Sequence, residues 1–236
     1  MSTNTEFERP IVTVDAVVLA LRDGQLNVLL VRRAEDSAYA PGAWALPGGF
    51  IHTNEDKTSE DAVRRVLSSK AGAKARHLEQ LETFASVDRD IRGWSVSIAH
   101  LALVDKLVED EDQARYFPVD SLPKLPFDHA KIVQAALVRV RNKATYSSLP
   151  TFFLPKAFTL PQMQAVYEVV LGQSLNTPAF RRKVADQGLV EECDAPKGGR
   201  EGQKGRPAQY YRLAQGKLQN LGRAVMTPDD RRGGAR

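Results

Sequence analysis

Apolar residues follow two periodicities along this chain. Ile11 to Leu21 and Leu26 to Val31 are rich in β-branched and aliphatic residues, with Asp23-Gly24 between them. An Asp-Gly pair between such runs predicts a β-hairpin, because both residues tolerate the positive φ of a tight turn. A loop rich in small residues and proline follows, through Pro41-Gly42 to Pro47-Gly48-Gly49. From Thr58 to Ala71 the period changes: Ala62, Val63, Val66 and Leu67 recur at helical spacing. Strand-like segments return at Leu78 to Phe84 and Trp94 to Val104; residues 105 to 114 are acidic and read as a turn, and Tyr116 to Val119 as a short edge strand. From His129 to Ala144, residues Ile132, Val133, Ala136, Leu137 and Val140 share one face, predicting an amphipathic helix that closes a first domain. Mostly strands with two helices predicts an α+β sandwich.

The remainder has a different pattern. Tyr146 to Pro150 reads as a linker. Thr159, Pro161 and Gln162 make a capping-box start for a helix ending at Gly172, and a second helix opens at Thr177-Pro178, buries Phe180 and Val184, and stops at Gly188. Two short strand-like segments, Leu189 to Glu192 and Gln209 to Leu213, flank a Gly/Lys/Arg-rich loop. Helix, tight turn, helix and basic-tipped hairpin outline a winged helix-turn-helix. The expected divisions are a first domain at 1–146, a second at 151–222, and a disordered tail at 223–236 rich in Arg, Asp and Gly.

Charge sharpens this division. The 236-residue chain has a net charge of +4, yet the first 150 residues are slightly acidic and the last third carries the excess of Lys and Arg. That asymmetry points to a polyanion-binding module joined to a neutral one. No apolar run approaches the ~20 residues of a membrane span, the start has no basic segment before an apolar stretch, and the single cysteine, Cys193, has no partner for an intrachain disulfide. The expectation is a cytoplasmic, nucleoid-associated protein without membrane contact.

Gly48-Gly49 and the helix after it resemble the Nudix box: Gly, five residues, Glu, seven residues, then Arg-Glu-apolar-x-Glu-Glu-x-Gly. Glutamates at i, i+3 and i+4 share a helix face, so their carboxylates converge on Mg²⁺, which holds a pyrophosphate and activates water. Aligned on Arg65 and Gly72, the glutamate positions hold Val66, Ser69 and Lys70; aligned on Gly49 and Glu55, they hold Arg64, Leu67 and Ser68. Neither alignment leaves a magnesium site. The first restores the glycine and an apolar residue at Leu67, and implies a short insertion around His52 to Asp56. The expectation is no metal, no cofactor and no catalytic residues, hence no enzyme. The pocket itself survives this loss: Arg33, the Gly48 and Gly49 amides and the loop from Arg89 to Trp94, with Arg92, can hold a nucleoside diphosphate sugar through arginine–phosphate forks and ring stacking.

In the second C-terminal helix, Arg181, Arg182 and Lys183 lie between the inward-facing Phe180 and Val184, so cations point outward where a major groove can receive them. Arginine can bond guanine bidentately, whereas lysine mostly contacts phosphate. Asn176 and Thr177 place hydrogen-bonding side chains at the helix N-terminus, which favours phosphate. The glycines of the Lys197 to Pro207 loop allow close approach to DNA, with Lys204 and Arg206 as the wing's cations.

Together these motifs resemble the NrtR family, Nudix-related transcriptional regulators of NAD metabolism. The likeness rests on Thr13 to Ala16, Val28 to Arg33, Leu46 to Phe50, Arg92 to Val96, Leu125-Pro126-Phe127-Asp128-His129, Phe158 to Pro161, Phe180 to Arg182 and Gly205-Arg206-Pro207. It implies a Nudix-like α/β/α sandwich that senses ADP-ribose, with Arg33, Gly48, Gly49, Arg65, Arg92, Trp94 and Phe127 as the effector site. It also implies a homodimer whose C-terminal winged helices bind palindromic double-stranded operator DNA as a repressor of NAD biosynthesis and salvage genes, released by this nucleotide effector. The alternatives are an active Nudix hydrolase of ADP-ribose or a related nucleoside diphosphate sugar, a Nudix-like regulator of sugar catabolism, and an RNA-binding or scaffold protein.

Overall fold

The computed structural model describes residues 9–106, 112–196 and 208–221. Strands β1 (Ile11–Arg22) and β2 (Gln25–Arg32) form the expected hairpin, with Asp23 and Gly24 both at positive φ. β1 is the spine of a seven-stranded mixed sheet. Two short strands, β3 (Trp44–Ala45) and β4 (Gly48–Phe50), arise inside the segment read as a loop. β4 pairs with β1 over Thr13 to Asp15, the stretch of that edge which β2 leaves open, and β3 pairs with the end of β2. On the other edge, β6 (Ser95–Leu103) runs parallel to β1 and in turn pairs with β5 (His77–Ser86). β7 (Ala114–Pro118) lies on the outer side of β2; of the acidic stretch before it, residues 107–111 lie outside the described residues.

β1 is buried from Thr13 to Ala20 because both its faces are covered. Val14, Ala16, Val18 and Ala20 meet Ala62, Val63, Val66 and Leu67 of α1 (Ser59–Ala71). Val17 and Leu19 lie in the opposite core with Ile132, Val133, Ala136 and Val140 of α2 (His129–Tyr146). The result is the expected α/β/α sandwich. Thr58 and Asp61 form a capping box at the start of α1, and Gly72 closes it in the left-handed conformation.

Beyond α2, a 3₁₀ turn at Leu149–Phe153 leads to α3 (Leu160–Leu171), α4 (Thr177–Asp186) and the antiparallel pair β8 (Val190–Cys193) and β9 (Tyr210–Leu213). Thr159 and Gln162 form the predicted capping box, Gly172 ends α3, and Phe180 stands edge-on to Tyr167 at 5.6 Å between ring centres. The winged helix-turn-helix expected from the pattern is therefore present; its wing loop and the tail at 223–236 lie outside the described residues.

The linker reading requires correction. Ser147, Ser148 and Leu149 have no exposed surface. Ser148 N–H donates to Gln219 O, Leu221 N–H to Tyr146 O, and the Tyr167 hydroxyl to Ser147 O at 2.8 Å. The polar serines suggested exposure, but their backbone is paired like a strand, the Ser147 hydroxyl donates locally to Lys143 O and accepts from Leu149 N–H, and the Ser148 hydroxyl accepts from the distant Gln219 N–H. One apolar core runs from α2 through Phe152 and Phe153 into Phe158, Met163, Tyr167 and Phe180. Among the described residues no helix is long and apolar enough to cross a membrane.

Candidate functional site

Between β4, α1 and the N-terminal end of α2 lies a cleft of about 1000 Å³. Arg33, Gly48, Gly49, Arg65, Arg92 and Phe127, predicted from scattered segments, all line it. Trp94 does not, and is 51% exposed. The reason is strand parity: Ser95 and Ser97 turn inward to Arg89 and Asp15, so Trp94, next to Ser95, turns away.

Gly48 is fixed by close approach, since a Cβ there would overlap the Asp15 carboxylate. The bonds Ala16 N–H to Pro47 O and Ile51 N–H to Val12 O set the ladder between β1 and β4. Its alternation points the Gly49 peptide groups toward β1 and those of Gly48 away from it. The Gly48 carbonyl accepts from Lys70 Nζ at 2.7 Å. Burial, followed by the neighbouring charge of Arg33, lowers the Lys70 ammonium below its usual pKa.

The arginines differ in what holds them. Arg65 forks onto Asp56 at 2.9 and 2.7 Å and also reaches Phe50 O; that hydrogen bonding holds the Asp56 carboxyl at about 2. Arg92 is fastened to Asp90, lowering that carboxyl, and its guanidinium lies 5.1 and 5.7 Å from the Phe50 and Tyr39 ring centres. Arg33 donates to Tyr39 O and stands 5.3 Å over the Phe127 ring. Phe127 itself has φ +56, a conformation costly for an aromatic residue, and its ring lies 5.4 Å from that of His129.

Beneath the floor is a polar group of buried side chains. Arg89 forks onto Asp128 at 3.0 Å twice and lies 3.6 Å from Asp15, which accepts from the Ser97 hydroxyl at 2.5 Å. His129 Nδ1 accepts from Leu46 N–H, leaving Nε2 toward Asp15 at 3.6 Å. Burial lowers the His129 pKa, so the imidazole is neutral near pH 7.

The face of α1 that looks into the cleft decides between the two alignments of its box. Arg65, Ser69 and Lys70 line the cavity and Val66 packs under Gly49, whereas Arg64 pairs with Glu60 along the exposed side of the helix. The cleft-facing positions are those of the first alignment, so Val66, Ser69 and Lys70 hold the places that the Nudix resemblance assigns to magnesium ligands. An aliphatic side chain, a hydroxyl and an ammonium do not fit that ion. Among the described residues, no group of three His, Cys, Asp or Glu side chains could hold a metal.

In the C-terminal part, α4 turns Phe180 and Val184 inward, with Thr177, Arg181 and Arg182 exposed and Lys183 half-buried. Asn176, exposed, also caps α4, its side-chain oxygen accepting from Ala179 N–H at 3.0 Å. Lys204 and Arg206 lie outside the described residues.

Residues 11–136 match the NUDIX domain, and residues 150–213 match the NrtR DNA-binding winged helix domain. The ADPR-responsive transcriptional repressor NtrR of Acinetobacter baylyi is 34% identical over 219 residues, 89% of this chain and 84% of that protein. This chain belongs to the NrtR family. The crystal structure of Shewanella oneidensis NrtR with a 27mer DNA superposes with a TM-score of 0.74 at 37% identity, over 86% of this chain and 93% of that one. The NUDIX domain of the same Shewanella protein, solved with ADP ribose, superposes with a TM-score of 0.51 at 34% identity, over 58% and 93% respectively.

In this NrtR-family chain, residue type pointed to cations and glycines, with Arg89 only as the start of a ligand-facing loop, and to no role for Asp15, Tyr39, Phe50, Asp128 or His129. Asp15 interrupts an otherwise aliphatic strand, and a charged residue inside such a run was the available signal. The buried pairing of Arg89 carried none, since its two carboxylate neighbours are distant in sequence.

Proposed function

We propose that this protein is a homodimeric repressor of NAD biosynthesis and salvage genes that leaves its palindromic operator when ADP-ribose occupies the cleft, and that it does not hydrolyse ADP-ribose. The observation that carries this reading is the cleft itself: cations line it, and the α1 residues that face it are Arg65, Ser69 and Lys70 rather than carboxylates. The named properties of the Acinetobacter repressor and the ADP-ribose and DNA bound by the Shewanella protein support the ligand and the partner. Arg181 and Arg182 on the exposed side of α4 serve as groove contacts, and Lys183 as a phosphate contact. A two-fold axis doubles the contacts of one recognition helix, which is why a dimer and a palindrome belong together. Release requires ADP-ribose to favour the DNA-incompetent arrangement, since equal affinity for both would shift nothing. A repressor that binds operator DNA would act in the cytoplasm, on the nucleoid.

The test is a gel-shift titration on the promoter beside the protein's own gene. Binding is expected to weaken with salt, to fall about tenfold or more in Arg181→Ala/Arg182→Ala, and to be reversed by ADP-ribose. AMP release from ADP-ribose with magnesium at high protein concentration would restore the hydrolase reading; unchanged DNA binding by the double variant would remove α4 as the reader.

A further inference from the structure

We propose that Lys70 replaces the divalent cation of this fold: its ammonium, with the outward-turned Gly48 amide and Arg33, holds a ligand's diphosphate without any metal. The inference rests on the cleft being the effector site and assigns the diphosphate its place within it.

Most cations of the cleft are already neutralised. Of those lining the cleft, Arg32 pairs with Glu35, Arg65 with Asp56, Arg89 with Asp128 and Arg92 with Asp90. Among the described residues, Lys70 and Arg33 have no carboxylate within salt-bridge distance. Lys70 holds a carbonyl, and Arg33 a carbonyl and the Phe127 ring. Asp15 is the nearby acid, and its oxygens face Ser97, Arg89 and His129. Two cations thus await an anion, and a diphosphate diester carries two charges.

Position agrees with charge. Lys70 occupies the last of the three glutamate positions of the first alignment, so its ammonium supplies positive charge on the side of the cleft where carboxylates of the box would hold a cation. One of its three protons goes to Gly48 O, leaving two for phosphoryl oxygens. The Gly48 N–H points the same way as its carbonyl, and Ser69 adds a hydroxyl beside it. Partial burial makes the unpaired ammonium costly, which an incoming anion relieves.

The experiment is calorimetric titration of the full chain with ADP-ribose and, separately, inorganic pyrophosphate, each in EDTA and in magnesium. Wild type is expected to bind both probes in EDTA. A charge-assisted bond to phosphate is worth about tenfold or more in affinity, so Lys70→Met loses at least that for both probes, while Lys70→Arg, which keeps the charge, recovers most of it. A thermal midpoint for each variant separates lost binding from lost fold. Binding abolished by EDTA, or equal binding by wild type and a folded Lys70→Met, overturns the inference. Lys70-dependent binding of pyrophosphate without binding of ADP-ribose would uphold it and overturn the effector. Binding of ADP-ribose indifferent to Lys70 would do the reverse.

Discussion

His129 illustrates how much a single buried side chain constrains. Its Nδ1 accepts from Leu46 N–H and its Nε2 faces Asp15, so it ties the entry to the cleft floor to the start of α2. Protonation would remove the acceptor and place a charge beside Arg89. Burial lowers its pKa below 6.5 in the fold, and His100, buried against α1, shifts in the same direction. The unfolded chain therefore takes up protons that the folded chain refuses, so stability is full above about pH 6.5 and falls with acid, by up to ~1.4 kcal/mol per pH unit for each histidine. The urea midpoint should drop between about pH 7 and 5.5, and drop less steeply in His129→Gln; a flat midpoint would show that the imidazole is not held neutral. Asp56 and Glu79, held at about 2, act in a lower window: their stabilisation is present above 3.8 and 4.5 and disappears as pH falls toward 2. For Glu79 burial opposes the shift, and hydrogen bonds from His77 and Lys143 outweigh it.

At the scale of elements, those with their own local signals were legible. The hairpin, α1, α3 and α4 each carry a turn pair, a capping residue or a terminal glycine that acts over a few residues. Thr159→Ala removes the side-chain half of the α3 capping box, leaving the bond from that residue's backbone N–H to Gln162 Oε1, and should cost about 1 kcal/mol, read as a lower urea midpoint; no change would mean that core burial alone sets the helix start. β3 and β4 were not legible, because they are two and three residues long, sit among Pro41, Gly42, Pro47 and Gly48, and take their pairing from distant strands. Asp128 shows the converse. It stands at the N-cap of α2, where a carboxylate ordinarily bonds the first turn, yet its oxygens go to Arg89. The local preference yields to a buried guanidinium that has no other carboxylate as near.

The whole molecule behaves as more than two modules on a string. Arg76 at the start of the β5 hairpin arm bonds Leu154 O and lies over the Phe152 ring, while His77 stacks against the same ring at 5.1 Å. With the buried segment at 146–150 and a shared core, these contacts join the cleft-bearing sheet to the helix-turn-helix. Calorimetric unfolding should show one transition, with van't Hoff and calorimetric enthalpies in agreement; two separated transitions would disprove this coupling.

Sequence alone determined the order of the longer strands and helices, the two-part architecture, the basic face of α4 and the presence of Val66, Ser69 and Lys70 along α1. Each of these is written in periodicity, capping residues or residue identity within a short window. Only the tertiary structure decided which α1 face meets the cleft, which arginines are already neutralised, that Trp94 faces outward, and that the supposed linker is interior. Those outcomes depend on groups far apart in the chain, such as Arg89 with Asp128 or Lys70 with Gly48, whose proximity is created by folding and leaves no trace in local pattern.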